Sequence, residues 1–174
     1  MCGIVGFVSK EIKIELIEGF LKDITHRGPD SSNYSIIQSG DQFLHIGSAR
    51  LSIRGDSRED MPMHTESGKV LVYNGEIFDI NNLKKLLKNS KEYIGDTRML
   101  LDLLDLDPLL TRKLNGMFSF AFYDNFKNKL YLGRDQLGIK PLNYCVKNNE
   151  IFFSSEMSSL VKYSGNNYST EKES

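Results

Sequence analysis

Apolar positions along this chain follow two rhythms, a helical one in a few blocks and a strand-like one nearly everywhere else. Residues 2–8 form a glycine-punctuated apolar run, which predicts a buried strand at the chain start. Across residues 11–24, Leu16, Ile17, Phe20, Leu21 and Ile24 recur on one face and predict an amphipathic helix. His26-Arg27-Gly28-Pro29-Asp30 is a turn-rich break. Short alternating stretches at 33–38, 42–48 and 69–73 predict strands, the first two joined as a hairpin across Gly40-Asp41. Asp79 is placed to cap a helix carrying Leu83, Leu86 and Leu87, and a further helix is expected from Asp96 through Leu104. Residues 118–123 and 129–132 read as a second hairpin, and 143–146 with 151–153 as a third across Asn148-Asn149. Residues 156–163 close the pattern as a helix, and the polar stretch 164–174 is expected to be a disordered tail. Hairpins with helices in blocks between them exclude a doubly wound parallel sheet and favour antiparallel sheets with helices packed outside. No internal repeat or linker divides the chain, so 2–163 is expected to be one domain.

Composition narrows the partners. At 174 residues, with 40% hydrophobic and 26% charged positions, the chain can bury a core without staples. A formal net charge of −1 gives no reason to expect nucleic acid or an anionic membrane as partner. Scattered lysines such as Lys10, Lys13, Lys84 and Lys88 read as solvated helix faces. No apolar run approaches a membrane span, and the N-terminus lacks a secretory pattern, so a cytoplasmic location is expected. Cys2 and Cys145 make no disulfide framework. His26, His45 and His64 are too widely spaced for a metal motif. Neither a metal nor a cofactor is therefore expected.

The candidate chemistry begins at position 2. If Met1 is removed, Cys2 carries a thiol and a free α-amine on one residue. The amine titrates near ~7.7–8.0 and a free thiol near ~8.5, so the amine can take the thiol proton directly or through a water. An attacking thiol also needs oxyanion donors and groups that hold the substrate. Asn74 and Gly75, at the end of the stretch 69–73, offer an amide and a backbone N–H, although Asn-Gly also reads as a plain turn. Arg50, in the semi-apolar run Ala49-Arg50-Leu51-Ser52-Ile53, can clamp a carboxylate through two parallel hydrogen bonds. Asp96, opening a helix, can receive an ammonium or simply cap that helix. Together Arg50 and Asp96 would hold an α-amino acid at both ends.

Seven motifs in order carry a resemblance. They are Met1-Cys2-Gly3-Ile4-Val5-Gly6, His26-Arg27-Gly28-Pro29-Asp30, Arg50-Leu51-Ser52-Ile53, Asn74-Gly75-Glu76-Ile77, Gly95-Asp96-Thr97, Asn115-Gly116-Met117-Phe118 and the run from Gly133 to Leu142. From Cys2 to about Leu160 the chain resembles the class II glutamine amidotransferase domain of asparagine synthetases. The resemblance implies an α+β fold: the four-layer αββα N-terminal-nucleophile hydrolase sandwich, two antiparallel sheets flanked by helices. It implies Cys2 as nucleophile after Met1 is cleaved, and Asn74 and Gly75 as the oxyanion hole. It gives Arg50 the glutamine α-carboxylate and Asp96 the α-amine, with Leu51, Ser52, Ile53 and Glu76 lining the same pocket. The segment Ser48-Ala49-Arg50-Leu51-Ser52-Ile53 is unlike the Thr-Arg-Trp-Ala type of the glucosamine-phosphate synthase branch. Arg54 and Gly55, Arg98 and Asn143 depart from the family pattern, and none of them removes a proposed catalytic group.

The resemblance also sets an expectation by omission. The synthetase half of such enzymes carries a Ser-Gly-Gly-x-Asp-Ser pyrophosphate loop; no Ser-Gly-Gly and no Walker-type loop occurs in these residues. The 174 residues are thus expected to hydrolyse glutamine to glutamate and ammonia, without ATP, and to hand the ammonia to a synthetase-like partner. The competing readings are a docking or regulatory module that keeps the fold without catalysis, and an N-terminal-nucleophile amide hydrolase with another substrate.

Overall fold

The computed structural model describes residues 2–51, 60–78, 80–87, 92–93 and 95–165. Nine strands among these residues form two antiparallel sheets. The first sheet has five strands: β1 (Gly3–Ser9), β2 (Ser31–Ser39), β3 (Gln42–Arg50), β8 (Asn143–Lys147) and β9 (Glu150–Ser154). They lie in the order β2-β3-β1-β9-β8. The second has four: β4 (Met63–His64), β5 (Val70–Ile77), β6 (Gly116–Asp124) and β7 (Lys129–Arg134), in the order β4-β5-β6-β7. Helices α1 (Ile14–Ile24) and α4 (Met157–Ser164) pack on the first sheet. Helix α3 (Asp96–Leu106) packs on β5, and α2 (Ile80–Leu87) packs on α3. This is the expected α+β sandwich of two antiparallel sheets between helices.

The layering follows from the side-chain period of a strand. Successive residues point to opposite faces, so a strand buried on both faces reads as an unbroken apolar run. On β1, Ile4 joins Leu44, Ile46 and Phe153 against the second sheet. Its neighbours Val5 and Phe7 join Ile17, Phe20, Ile24 and Leu160 beneath the helices. The site-bearing start of β1 is therefore held from both sides. It is also pinned along its length: Gly3 pairs with Ala49, and Ser155 N–H donates to the Ile4 carbonyl at 2.9 Å. Ile4 N–H returns a bond to Ser155 Oγ at 3.0 Å.

The hairpins predicted at Gly40-Asp41 and Asn148-Asn149 are present, and each turn uses the left-handed region: φ is +64° at Gly40, 52° at Asn148 and 62° at Asn149. The entry to α1 differs from the periodicity, which starts at residue 11. Ser9 Oγ donates to the Glu11 carbonyl at 2.7 Å, and Lys13 N–H donates to His45 Nε2 at 2.9 Å. These bonds hold 9–13 in a bent, non-helical lead-in, and the helix begins at Ile14. Strand β5 differs at its other end. It runs through Asn74, Gly75 and Glu76 to Ile77, so Asn-Gly is an in-strand pair, not a turn. Strand β4, at two residues, is too short to leave a periodic signal. The capping position of Asp79 and the tail beyond Gly165 lie outside the described residues.

Candidate active site

The candidate groups come from both sheets. Cys2 precedes β1, one position beyond the Gly3–Ala49 pair, and its side chain is half-buried. Its Sγ lies 3.8 Å from the Leu51 carbonyl, so the thiol meets the Arg50-Leu51 segment where β3 ends. Arg27 holds the other side of the residue: Nε donates to the Cys2 carbonyl at 3.3 Å, while Nη1 pairs with Glu156. Burial alone would raise the Glu156 carboxyl; the hydrogen bonds and charge of Arg27 and His26 outweigh it and hold the group below the usual carboxylate range. An ionised Glu156 thus fixes Arg27, and Arg27 fixes the backbone of Cys2.

Asn74 is 2% exposed. Its Nδ2 is a buried amide donor with no hydrogen-bond partner among the described residues. Directly across the ladder from it stands Ser119, whose Oγ is also buried and without a partner among the described residues. Opposed residues of an antiparallel pair share a face, so these two polar atoms line one spot. An orphaned buried polar group costs about 1–3 kcal/mol, and two side by side are not expected in a spot that serves packing alone. Gly75 follows. A Cβ there would lie 2.4 Å from the Met117 carbonyl oxygen and 2.7 Å from Phe118 Cα. Only glycine lets β5 sit this close to β6 at the donor position.

Asp96 is the first residue of α3, with Gly95 before it as the capping position. Its Oδ2 accepts from Tyr73 Oη at 2.6 Å and from Ile77 N–H at 2.9 Å, which ties the helix start to β5. Tyr73 is 3% exposed, and its phenol is raised well above its ordinary value. Burial is the main cause, then the charge and hydrogen bond of Asp96, with smaller contributions from Glu76 and Cys2. The charge of Cys2, just before the first sheet, thus reaches Tyr73 of the second.

Arg50 closes β3 and is largely buried, its Nη1 paired with the half-exposed Asp60. Glu76 is exposed at the end of β5. Ser52 and Ile53, expected to line the same pocket, lie outside the described residues, as does Arg54. Of the other departures, Arg98 pairs with Asp102 along α3 at 3.2 Å, and Asn143 donates to the Ser154 carbonyl at 3.4 Å. Both serve local structure. Among the described residues no cluster of histidine, cysteine and carboxylates could hold a metal.

Four participants were not singled out from sequence. Arg27 and Glu156 are 129 residues apart, and nothing local links them. Ser119 is informative only once its register with Asn74 is known. Tyr73 left a usable signal: a tyrosine inside a buried strand needs an acceptor for its hydroxyl, and a carboxylate supplies it. Asp135 is a further case. It is 6% exposed and accepts from Phe118, Ile139 and Lys140 N–H at 3.2, 2.9 and 3.0 Å, so it folds the 135–140 loop against β6. Burial would raise its carboxyl, but these N–H groups prevail and lower it.

Comparison with known proteins identifies the family and the fold. The family model for the glutamine amidotransferase domain matches residues 1–174, and the chain belongs to that family. Among its relatives is asparagine synthetase [glutamine-hydrolyzing] 2 of Bacillus subtilis (strain 168), 33% identical over 94% of this chain and 22% of the relative. Another is the putative asparagine synthetase [glutamine-hydrolyzing] 2 of Methanocaldococcus jannaschii, 32% identical over 92% of this chain and 35% of the relative. The chain thus spans between a fifth and about a third of the length of these relatives and corresponds to their amidotransferase domain. In fold it is similar to the allosteric regulatory enzyme of purine biosynthesis, with a TM-score of 0.74 at 17% identity, covering 91% of this chain and 43% of the other. No helix among the described residues is long and apolar enough to cross a membrane.

Proposed function

We propose that this domain hydrolyses the side-chain amide of glutamine through a covalent thioester on Cys2, and that its ammonia passes to a synthetase-like partner or region. The observation that carries the reading is the unpartnered Asn74 Nδ2, a donor kept dry beside the Gly75 close approach. An amide held this way costs no reorganisation when charge develops on a carbonyl oxygen, which is what an oxyanion hole requires.

The steps use this chain's own groups. With Met1 removed, the Cys2 α-amine takes the thiol proton, and the thiolate attacks the glutamine amide carbon. Asn74 Nδ2 and Gly75 N–H stabilise the tetrahedral oxyanion. The amine returns the proton to the departing nitrogen, ammonia leaves, and a γ-glutamyl thioester remains. Water then attacks the thioester, giving glutamate and the free thiol. Arg50 holds the substrate α-carboxylate, which takes over the guanidinium edge now paired with Asp60. Asp96 holds the α-amine. Substrate contacts are also proposed for Leu51, Ser52, Ile53 and Glu76. No step needs a metal or cofactor. The relatives' names, which join glutamine hydrolysis to asparagine synthesis, support the ammonia acceptor. The reaction is assigned to the cytoplasm.

Acid-quenching the Met1-processed protein during turnover and measuring its intact mass tests the covalent step. A γ-glutamyl adduct that maps to Cys2 and appears only with glutamine is the expected result. Turnover with no adduct in wild type or in slowed variants would overturn the thioester.

A further inference from the structure

The geometry points to Tyr73 as a positioning residue for recognition of the substrate α-amine, acting through Asp96; this rests on the role just proposed for Asp96. A carboxylate has two oxygens and about four lone-pair sites. On Asp96 both protein donors, Tyr73 Oη at 2.6 Å and Ile77 N–H at 2.9 Å, converge on Oδ2. Oδ2 is thereby committed, and among the described residues no donor engages Oδ1. The carboxylate is anchored through one oxygen, and the other keeps its acceptor capacity.

The chemistry of the holding group matters as much as its position. A lysine or arginine on Oδ2 would cancel the carboxylate charge and weaken its pull on an ammonium. Tyr73 is 3% exposed and protonated, so it orients Asp96 without adding a compensating charge. Its own backbone is fixed in turn: Tyr73 N–H donates to Met61 Sδ at 3.1 Å, and β5 pairs Tyr73 with Phe120. The Ile77 bond alone would leave Oδ2 held from one direction only; the Tyr73 hydroxyl adds a second direction at the same oxygen. With both bonds the full negative charge sits at a set place. A substrate with a free α-ammonium is then favoured over one whose amine is acylated.

The test uses the full chain with Cys2→Ala, which separates binding from turnover, and reads glutamine binding by calorimetry. Tyr73→Phe in that background raises the glutamine Kd about ten-fold, equivalent to ~1.4 kcal/mol. In the Asp96→Asn background Tyr73→Phe has no further effect, because the two act as one unit. The ratio of affinities for glutamine and N-acetylglutamine falls by the same ten-fold. In the wild-type background the effect falls on KM, not kcat. A glutamine Kd unchanged by Tyr73→Phe, or equal losses for glutamine and N-acetylglutamine, assigns Tyr73 a merely structural role and overturns the inference. Absence of both glutamine binding by Cys2→Ala and glutamine hydrolysis by wild type would instead overturn the proposed function itself, and this inference with it.

Discussion

Replacing Asn74 by leucine separates stability from activity in a way that ordinary core mutations do not. The side chain is 2% exposed, and its Nδ2 is buried without a partner among the described residues. Leucine matches asparagine in the number of side-chain heavy atoms and removes the polar ones, but its methyl groups are bulkier, so overpacking of about 1–3 kcal/mol is introduced while no cavity is left. The folded state is relieved of an orphaned donor worth about 1–3 kcal/mol. That relief and the overpacking are of similar size, and for a domain of this size each kcal/mol moves Tm by roughly 2–4 °C, so the variant melts within a few degrees of wild type. Turnover moves the other way. Loss of one preorganised oxyanion donor costs ~10²–10³ in kcat, or about 2.7–4 kcal/mol of transition-state stabilisation. The assays are thermal unfolding by circular dichroism and steady-state glutamate release, on the same preparations. A variant that melts well below wild type refutes the account of Asn74 as a group held ready against its own folding preference. So does one that keeps kcat within about two-fold.

Further outcomes follow from the same contacts. Arg50→Ala raises the glutamine KM by more than ten-fold, since a charge-assisted hydrogen bond is worth about 1.5–3 kcal/mol; an unchanged KM in steady-state kinetics would remove Arg50 from the site. Asp135→Ala strips the acceptor from three backbone N–H groups and lowers the unfolding free energy by at least ~3 kcal/mol in denaturant titrations, whereas Asp135→Asn, which keeps one oxygen, loses less. Burial holds His45 and His64 below the usual imidazole value. Below pH ~6.5 the unfolded chain takes up these protons before the folded one does, so stability is full above that pH and is lost as pH falls through the folded values. His45→Gln, which keeps an acceptor for Lys13 N–H, flattens that slope; a slope unchanged in His45→Gln would show that His45 does not contribute to it.

Much of the fold was legible because its signals are local. The hairpins at Gly40-Asp41 and Asn148-Asn149 rest on turn chemistry, and the α1 face rests on five apolar positions at helical spacing. Cys2 and Asn74-Gly75 were weak signals singly, since Asn-Gly also reads as a turn, and became legible as site candidates through the seven ordered motifs around them. What sequence reasoning missed is non-local. The conversion of Asn-Gly from an apparent turn into strand depends on eight residues of register with β6, including a Gly75 backbone pressed against Met117 and Phe118. Periodicity stops at Tyr73 because Asn74 is polar and Gly75 has no side chain. Asp96 looked like a helix cap, yet its acceptor serves Tyr73 and Ile77 on the neighbouring strand. Helix α1 starts late because of His45, a residue on another strand.

The most direct test of the central claim is glutamate release from glutamine by the purified, Met1-processed protein, with Cys2→Ala measured alongside. The account predicts release by the wild type, accelerated where a synthetase-like partner is present, and none by Cys2→Ala. Equal release by both proteins would contradict it, as would a correctly processed wild type that stays silent with its partner bound.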